Sequence, residues 1–186
     1  GTTAYRERFS GTTAEGHFRF EQSLWLSSVG VGTYLGDPDE ETDRSYADAI
    51  KRAVELGVNV IDTADVYSAG ESEEIVGKAL KGRRDEVVLA TKFQGVRGED
   101  RTARGASRRW IVAEVENSLR RLGTDHVDLY QVHRPDPDTD VEETLSALTD
   151  LVRSGKVRAI GTSTMPASEM VEAQWVSERR GLERFR

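Results

Sequence analysis

The chain has 186 residues, a length for one domain or one and a half. Hydrophobic residues make up 37 % and charged residues 32 %, the balance of a soluble globular chain with a modest core. The formal net charge of −7 argues against a general nucleic-acid binder and against an anionic membrane surface. Cysteine is absent, which excludes disulfide frameworks, thiolate metal sites and cysteine nucleophiles and fits a cytoplasmic setting. No apolar run approaches the roughly 18 residues of a membrane span. The polar, Gly/Thr-rich stretch from Gly1 to Arg19 does not read as a signal peptide.

Residues 1–28 are the least patterned. His17-Phe18-Arg19-Phe20 alternates and Leu24-Trp25-Leu26 follows a polar break, which reads as a short hairpin or an N-terminal arm. From Val29 onward, β-branched runs alternate with helical periods. After the first run, Val29 to Thr33, the residues Tyr46, Ala49, Ile50, Ala53 and Val54 fall at helical spacing, with Gly57 placed to end the helix. The second run, Val58 to Thr63, leads to a helix carrying Ile75, Val76, Ala79 and Leu80, with Ser72 as its expected N-cap. The third, Val87 to Lys92, precedes a helix capped by Ser107, with Val112, Val115, Leu119 and Leu122 on one face. The fourth, Val127 to His133, precedes a helix opened by an Asp140/Glu143 capping box, with Leu145, Leu148, Leu151 and Val152 as its face. The fifth, Ala159 to Ser163, precedes a helix begun by Pro166 and carrying Met170, Val171 and Trp175.

Five strands alternating with five helices imply a parallel sheet. The length suits an open doubly wound sheet, whereas a (β/α)₈ barrel needs at least about 200 residues. Pattern alone therefore favours the open sheet, and chemistry favours the barrel. Asp62 ends the second strand, with Tyr67 five residues on. Lys92 ends the third strand, His133 the fourth, and Ser163 with Thr164 the fifth. In a β/α barrel these strand ends share one rim, where active sites sit. Singly, each residue reads as a turn former, a surface group or a structural histidine; together they read as a site. A lysine ammonium near a phenol favours the phenolate, a carboxylate beside the lysine keeps it charged, and a histidine can donate to a substrate oxygen. That set describes a tyrosine general acid for a developing alkoxide, as carbonyl reduction needs, with hydride from a cofactor. Gly30-Val31-Gly32-Thr33-Tyr34 starts a dinucleotide fingerprint and then departs from it, and no P-loop is present.

These residues resemble the aldo-keto reductase superfamily. The resemblance rests on Gly30-Val31-Gly32-Thr33-Tyr34, on Asn59-Val60-Ile61-Asp62-Thr63-Ala64-Asp65-Val66-Tyr67 and Gly70-Glu71-Ser72-Glu73, and on Leu89-Ala90-Thr91-Lys92. It continues in Asp128-Leu129-Tyr130-Gln131-Val132-His133 and Ile160-Gly161-Thr162-Ser163, and covers the chain from about Val29 to its end. Ser107-Arg108-Arg109 is similar to the branch that holds bacterial oxidoreductases and potassium-channel β subunits. The resemblance implies a (β/α)₈ TIM barrel, present here as about its first five βα units over residues 29–186, that binds NADP(H) at its C-terminal rim. It implies reversible reduction of aldehydes and ketones. Tyr67 would be the proton donor, Lys92 would lower its pKa, Asp62 would pair with Lys92, and His133 would orient the carbonyl. Gly32, Thr33 and Tyr34 match the loop near the nicotinamide and substrate, where Asp62 also lies, and Ser163 with Thr164 matches the pair that holds the carboxamide. The implied partner is a small-molecule carbonyl substrate, with no nucleic acid, membrane or metal; homo-oligomerisation stays open. The alternatives are a cofactor-sensing or partner-binding barrel with little turnover, and a fragment inactive by itself.

The family usually places Asn where Thr164 stands, and a hydroxyl can still hydrogen-bond but cannot present donor and acceptor from two separate atoms as the amide does. Glycine often directly follows the family's tyrosine; here Ser68-Ala69-Gly70 follows, a small change in loop freedom. The family's later strands, which contact the adenosine 2′-phosphate, have no counterpart before Arg186, so the preference for NADP(H) over NAD(H) comes wholly from the resemblance. A sixth strand is expected to begin at Arg184-Phe185-Arg186, and the unpaired apolar edge of five units leads us to expect a longer polypeptide. Elsewhere, Arg97, Arg101, Arg104, Arg108 and Arg109 read as a solvated basic stretch, and Trp110 and Trp175 as packing residues. Asp136, Asp138 and Asp140 read as a polar loop before a capped helix.

Overall fold

A computed structural model describes residues 1–34, 39–95 and 102–186. Helix α1 (Thr3–Arg8) and the antiparallel hairpin β1 (Phe18–Glu21) and β2 (Leu24–Ser27) come first. Then follow β3 (Gly30–Gly32), α2 (Glu40–Glu55), β4 (Val60–Asp62), α3 (Glu71–Ala79), β5 (Val88–Phe93), α4 (Arg108–Leu122), β6 (Val127–Val132), α5 (Val141–Arg153), β7 (Val157–Thr162) and α6 (Ala167–Arg180). The last five strands are parallel and lie side by side in chain order, β3-β4-β5-β6-β7. An open doubly wound sheet reverses direction at a switch point, and this sheet has none. The sheet is thus the first five βα units of a (β/α)₈ barrel. Phe185 pairs with Ile160 in a single parallel bridge, and Arg186 N–H donates to the Ile160 carbonyl at 3.0 Å. No helix among the described residues is long and apolar enough to cross a membrane.

The strands are apolar where both faces are covered. Every residue of β5 is buried, as a strand between a filled interior and a helix layer requires. The hairpin is fastened to the barrel through buried Asn59, whose side chain accepts from Ser27 N–H at 2.8 Å and donates to the Trp25 carbonyl at 2.8 Å.

Several helix details differ from the sequence reading. Gly70, at φ +96°, caps α3; Ser72 lies inside the first turn, its hydroxyl buried without a hydrogen-bond partner among the described residues. Asp140 caps α5 through Glu142 N–H, while Glu143 accepts from Arg108 N–H instead of closing a capping box. On α2 and α4, Ala49 and Val112 are exposed, although their spacing matches the buried faces. On α6 the buried side is Ala173, Val176 and Ser177, whereas Met170, Val171 and Trp175 face outward. Trp175 lies beneath the Arg179 guanidinium, 5.1 Å from ring centroid to Cζ, while Trp110 is buried.

One buried charge cluster joins the helix layer to β5. Arg121 Nε donates to Glu73 Oε2 at 2.6 Å and its Nη2 to Glu114 Oε1 at 2.5 Å. Thr91 Oγ1 donates to the other Glu73 oxygen at 2.6 Å. Both carboxylates have no exposed surface. Gly77 lets α3 and α4 approach: a Cβ there would lie 2.7 Å from the Leu122 carbonyl oxygen. Removing one partner of a buried ion pair strands the other. Glu73→Ala is therefore expected to lower unfolding stability by about 3 kcal/mol, read as a fall in urea midpoint. An unchanged midpoint would show that the cluster contributes nothing net.

Candidate active site

The site forms where β4 and β5 end. Asp62 is the last residue of β4, and the chain beyond it keeps following β5. Thr63 N–H donates to the Ala90 carbonyl at 2.9 Å and Asp65 N–H to the Lys92 carbonyl at 3.1 Å. This backbone pairing carries Tyr67 over Lys92. Tyr67 opens a 3₁₀ turn, Tyr67–Gly70, held by its N–H to the Ala64 carbonyl. Ser68 and Ala69 sit at φ +45° and +52°. Both lie in the left-handed region, so the loop departure that looked small in sequence is a strained one.

Lys92 is almost wholly buried, its side chain 6 % exposed. Its ammonium donates to Asp62 Oδ2 at 2.5 Å, to the Thr63 carbonyl at 2.9 Å and to Tyr67 Oη at 3.3 Å. An ammonium has three donors, and these three acceptors use them all. Asp62 is held on its second oxygen as well, where Gln131 Nε2 donates to Oδ1 at 3.2 Å. The Tyr67 ring stands edge-on between two others, with Tyr34 at 5.3 Å and His133 at 5.7 Å between centroids. His133 directly follows β6, and its N–H to the Phe93 carbonyl sets it beside the end of β5.

All four residues expected to act chemically thus meet at one rim. The residues expected to hold a cofactor divide. Tyr34 is 77 % exposed on that rim, and among the described residues nothing fills the space where a Cβ of Gly32 would be. Ser163 follows β7, and its hydroxyl makes no hydrogen bond among the described residues. Thr33 is buried and turned inward, its N–H and hydroxyl both donating to the Asp62 carbonyl, at 3.0 and 3.1 Å. Thr164, at φ +53°, turns back to donate to the His133 carbonyl at 2.9 Å. The sequence reading missed Gln131 and the Thr63 carbonyl. A polar residue within the apolar run Val127 to Val132 was the available sign of the first; a backbone acceptor leaves none.

An open cleft of about 1040 Å³ adjoins His133, with Val66, Gln94, Arg104, Arg109 and Arg134 on its walls. Of the basic stretch, Arg104 and Arg109 line this cleft and Arg108 pairs with Asp150 at 2.8 Å; Arg97 and Arg101 lie outside the described residues. Asp136 accepts from Ala106 N–H, Asp138 N–H and the Thr139 hydroxyl, which makes the aspartate stretch a closed polar turn. Partial burial, together with the Lys92 and Arg134 cations, holds the His133 imidazole below its ordinary value; Asp62 opposes this.

The Aldo/keto reductase family model matches residues 28–182. Aldo-keto reductase YhdN of Bacillus subtilis is 46 % identical over 81 % of this chain and 47 % of its own length. A putative voltage-gated potassium channel subunit beta of Schizosaccharomyces pombe is 37 % identical over 89 % of this chain and 50 % of its own. The chain thus spans about half the length of the curated relatives it matches. Among solved structures, an aldo/keto reductase from Klebsiella pneumoniae in complex with NADP and acetate superposes with a TM-score of 0.74 at 33 % identity. That match covers 87 % of this chain and 54 % of the other. The holo form of an aldo-keto reductase from Bacillus halodurans gives a TM-score of 0.74 at 38 % identity, over 83 % of this chain and 52 % of the other. With its strand order, its rim and these relatives in agreement, the chain belongs to the aldo/keto reductase family.

Proposed function

We propose that the protein is an NADP(H)-dependent oxidoreductase that reduces aldehyde or ketone carbonyls, with Tyr67 as proton donor. The observation that carries this reading is the Lys92 ammonium, buried between Asp62 and the Tyr67 hydroxyl. The NADP named with the Klebsiella pneumoniae structure supports the choice of cofactor. The donor set fits a nicotinamide: among the described residues Ser163 offers an uncommitted hydroxyl, Tyr34 an exposed ring and Gly32 open space, and these residues would hold it. When bound, the cofactor supplies the hydride that forms the new C–H bond. The chain's own residues manage the oxygen and its proton. His133, neutral at pH 7, donates one N–H toward the carbonyl oxygen and orients it. Tyr67 gives its hydroxyl proton to that oxygen as negative charge develops there. The phenolate left behind faces the Lys92 ammonium, which Asp62 and the Thr63 carbonyl hold in place. In the oxidation direction the same phenolate takes the proton back. A sensing barrel is the second reading, favoured by the potassium channel subunit beta among the relatives.

Three measurements test this. In Tyr67→Phe, carbonyl-dependent NADPH oxidation should fall by about 10²–10⁴-fold, with NADPH binding by fluorescence largely retained. Full turnover in that variant would remove Tyr67 from the mechanism. Thr164→Asn should bind NADPH several-fold more tightly, since an amide offers donor and acceptor on two separate atoms and suits a positive φ. Weaker binding would count against a role for Thr164 at the nicotinamide. For His133, proton NMR should show the imidazole titrating below 6.5, and Arg134→Gln should move the midpoint upward. Because the folded state then binds the proton less well than the unfolded chain, His133 contributes stability above pH 6.5 that is lost as pH falls through its lowered value. A midpoint at or above 6.5 would refute the neutral donor.

A further inference from the structure

We infer that Gln131 is a positioning residue for this reaction: its side-chain amide fixes the Asp62 carboxylate against the Lys92 ammonium. The inference rests on the reductase reading above. Gln131 stands opposite Lys92 in the β5–β6 register and opposite Gly161 in the β6–β7 register. Its amide reaches past β5 to Asp62 on β4, where Nε2 donates to Oδ1 while Lys92 holds Oδ2. The two oxygens are thereby assigned to different donors, and rotation of the carboxylate would break both bonds.

The fixation matters because the partners differ in burial. The Asp62 side chain is 39 % exposed, and Lys92 is 6 % exposed. A carboxylate with one partner and an open side can turn toward water, since ion pairs at such positions are weak. The buried ammonium has no water to turn to. Losing Asp62 would shift it toward its remaining acceptors, the Thr63 carbonyl and the Tyr67 hydroxyl, and change how it meets the phenol. Gln131 prevents this without adding charge. Its bond to Asp62 is the only hydrogen bond of its side chain among the described residues.

Gly161 provides the room. A Cβ at that position would lie 3.3 Å from Gln131 Cγ and 3.1 Å from Leu129 Cδ1. A glycine inside a strand marks such a close approach. Its neighbour Ile160 is fully buried, so the missing side chain is a local exception in a packed strand.

The test uses NADPH with 4-nitrobenzaldehyde as the probe carbonyl, in wild type, Gln131→Met and Gln131→Glu. Methionine keeps the length of the side chain and removes the donor. Its kcat should fall about tenfold, the worth of one hydrogen bond to a charged group, with the aldehyde KM and NADPH binding close to wild type. The glutamate variant keeps the shape but donates only when protonated. Its kcat should approach wild type at low pH and fall as the introduced carboxyl ionises beside Asp62, a limb the wild type lacks. Should the methionine variant fail to fold, that limb decides alone. Wild-type kcat and pH profiles in both variants would overturn the role of Gln131 and leave the reductase reading standing. A wild type without carbonyl-dependent turnover would overturn both.

Discussion

A single buried ammonium organises the rim. Lys92 lies in a strand buried along its whole length, and a charge taken out of water there is costly unless it is paired and hydrogen-bonded. All three of its acceptors come from one short stretch, Asp62, Thr63 and Tyr67, at the end of the neighbouring strand. The ammonium is therefore satisfied only while β4 and β5 keep their register and the chain beyond β4 continues alongside β5. The Thr63 and Asp65 N–H bonds to the Ala90 and Lys92 carbonyls secure that continuation. Geometry useful for proton transfer is thus the same geometry that makes the lysine tolerable in the fold.

The adjacent residue does the opposite task on the opposite face. Side chains alternate along a strand, so Thr91 points to the helix layer where Lys92 points to the rim. Thr91 donates to Glu73, which shares Arg121 with Glu114. Two charge networks of different purpose therefore meet at consecutive residues of β5. The outer one ties α3 and α4 to the strand, and the inner one presents the phenol. Displacing β5 would disturb both, which makes this strand the common reference for helix layer and site.

The parts legible in sequence were those with a one-dimensional signature. Five apolar runs gave five strands, because a strand covered on both faces needs side chains of one kind throughout. Asp62, Tyr67, Lys92 and His133 were legible because each stands at or near a strand's carboxyl end. Strand order carries no such signature: barrel and open sheet share the same alternation, and only the site chemistry separated them. The errors have a common physical origin. Ser72 looks like a cap, but left-handed Gly70 already ends the preceding turn and starts the helix two residues sooner. Met170, Val171 and Trp175 follow a helical period, yet the small residues Ala173 and Ser177, with Val176, are the ones turned to the interior. Gln131 showed only as a polar interruption, and nothing in its own strand points to a carboxylate two strands away.

Outside the β1–β2 turn at Gln22 and Ser23, backbone strain gathers around the site. Ser68 and Ala69 directly follow Tyr67, and Thr164 directly follows Ser163; all three hold positive φ without being glycine. Each such residue costs on the order of 1 kcal/mol and persists only where its surroundings over-determine it. Around Tyr67 those surroundings are the Tyr67 N–H bond to Ala64, the Ala69 N–H bond to Val66 and the left-handed start of α3 at Gly70. At Thr164 they are the hydroxyl bond to the His133 carbonyl and the Ser163 N–H bond to Val132. A relaxed turn after Tyr67 would give the ring more than one direction to lie in. The strained one leaves it a single place, edge-on between Tyr34 and His133 and within reach of Lys92. Stability surrendered in the turn after Tyr67 is converted into the fixed direction of one phenol.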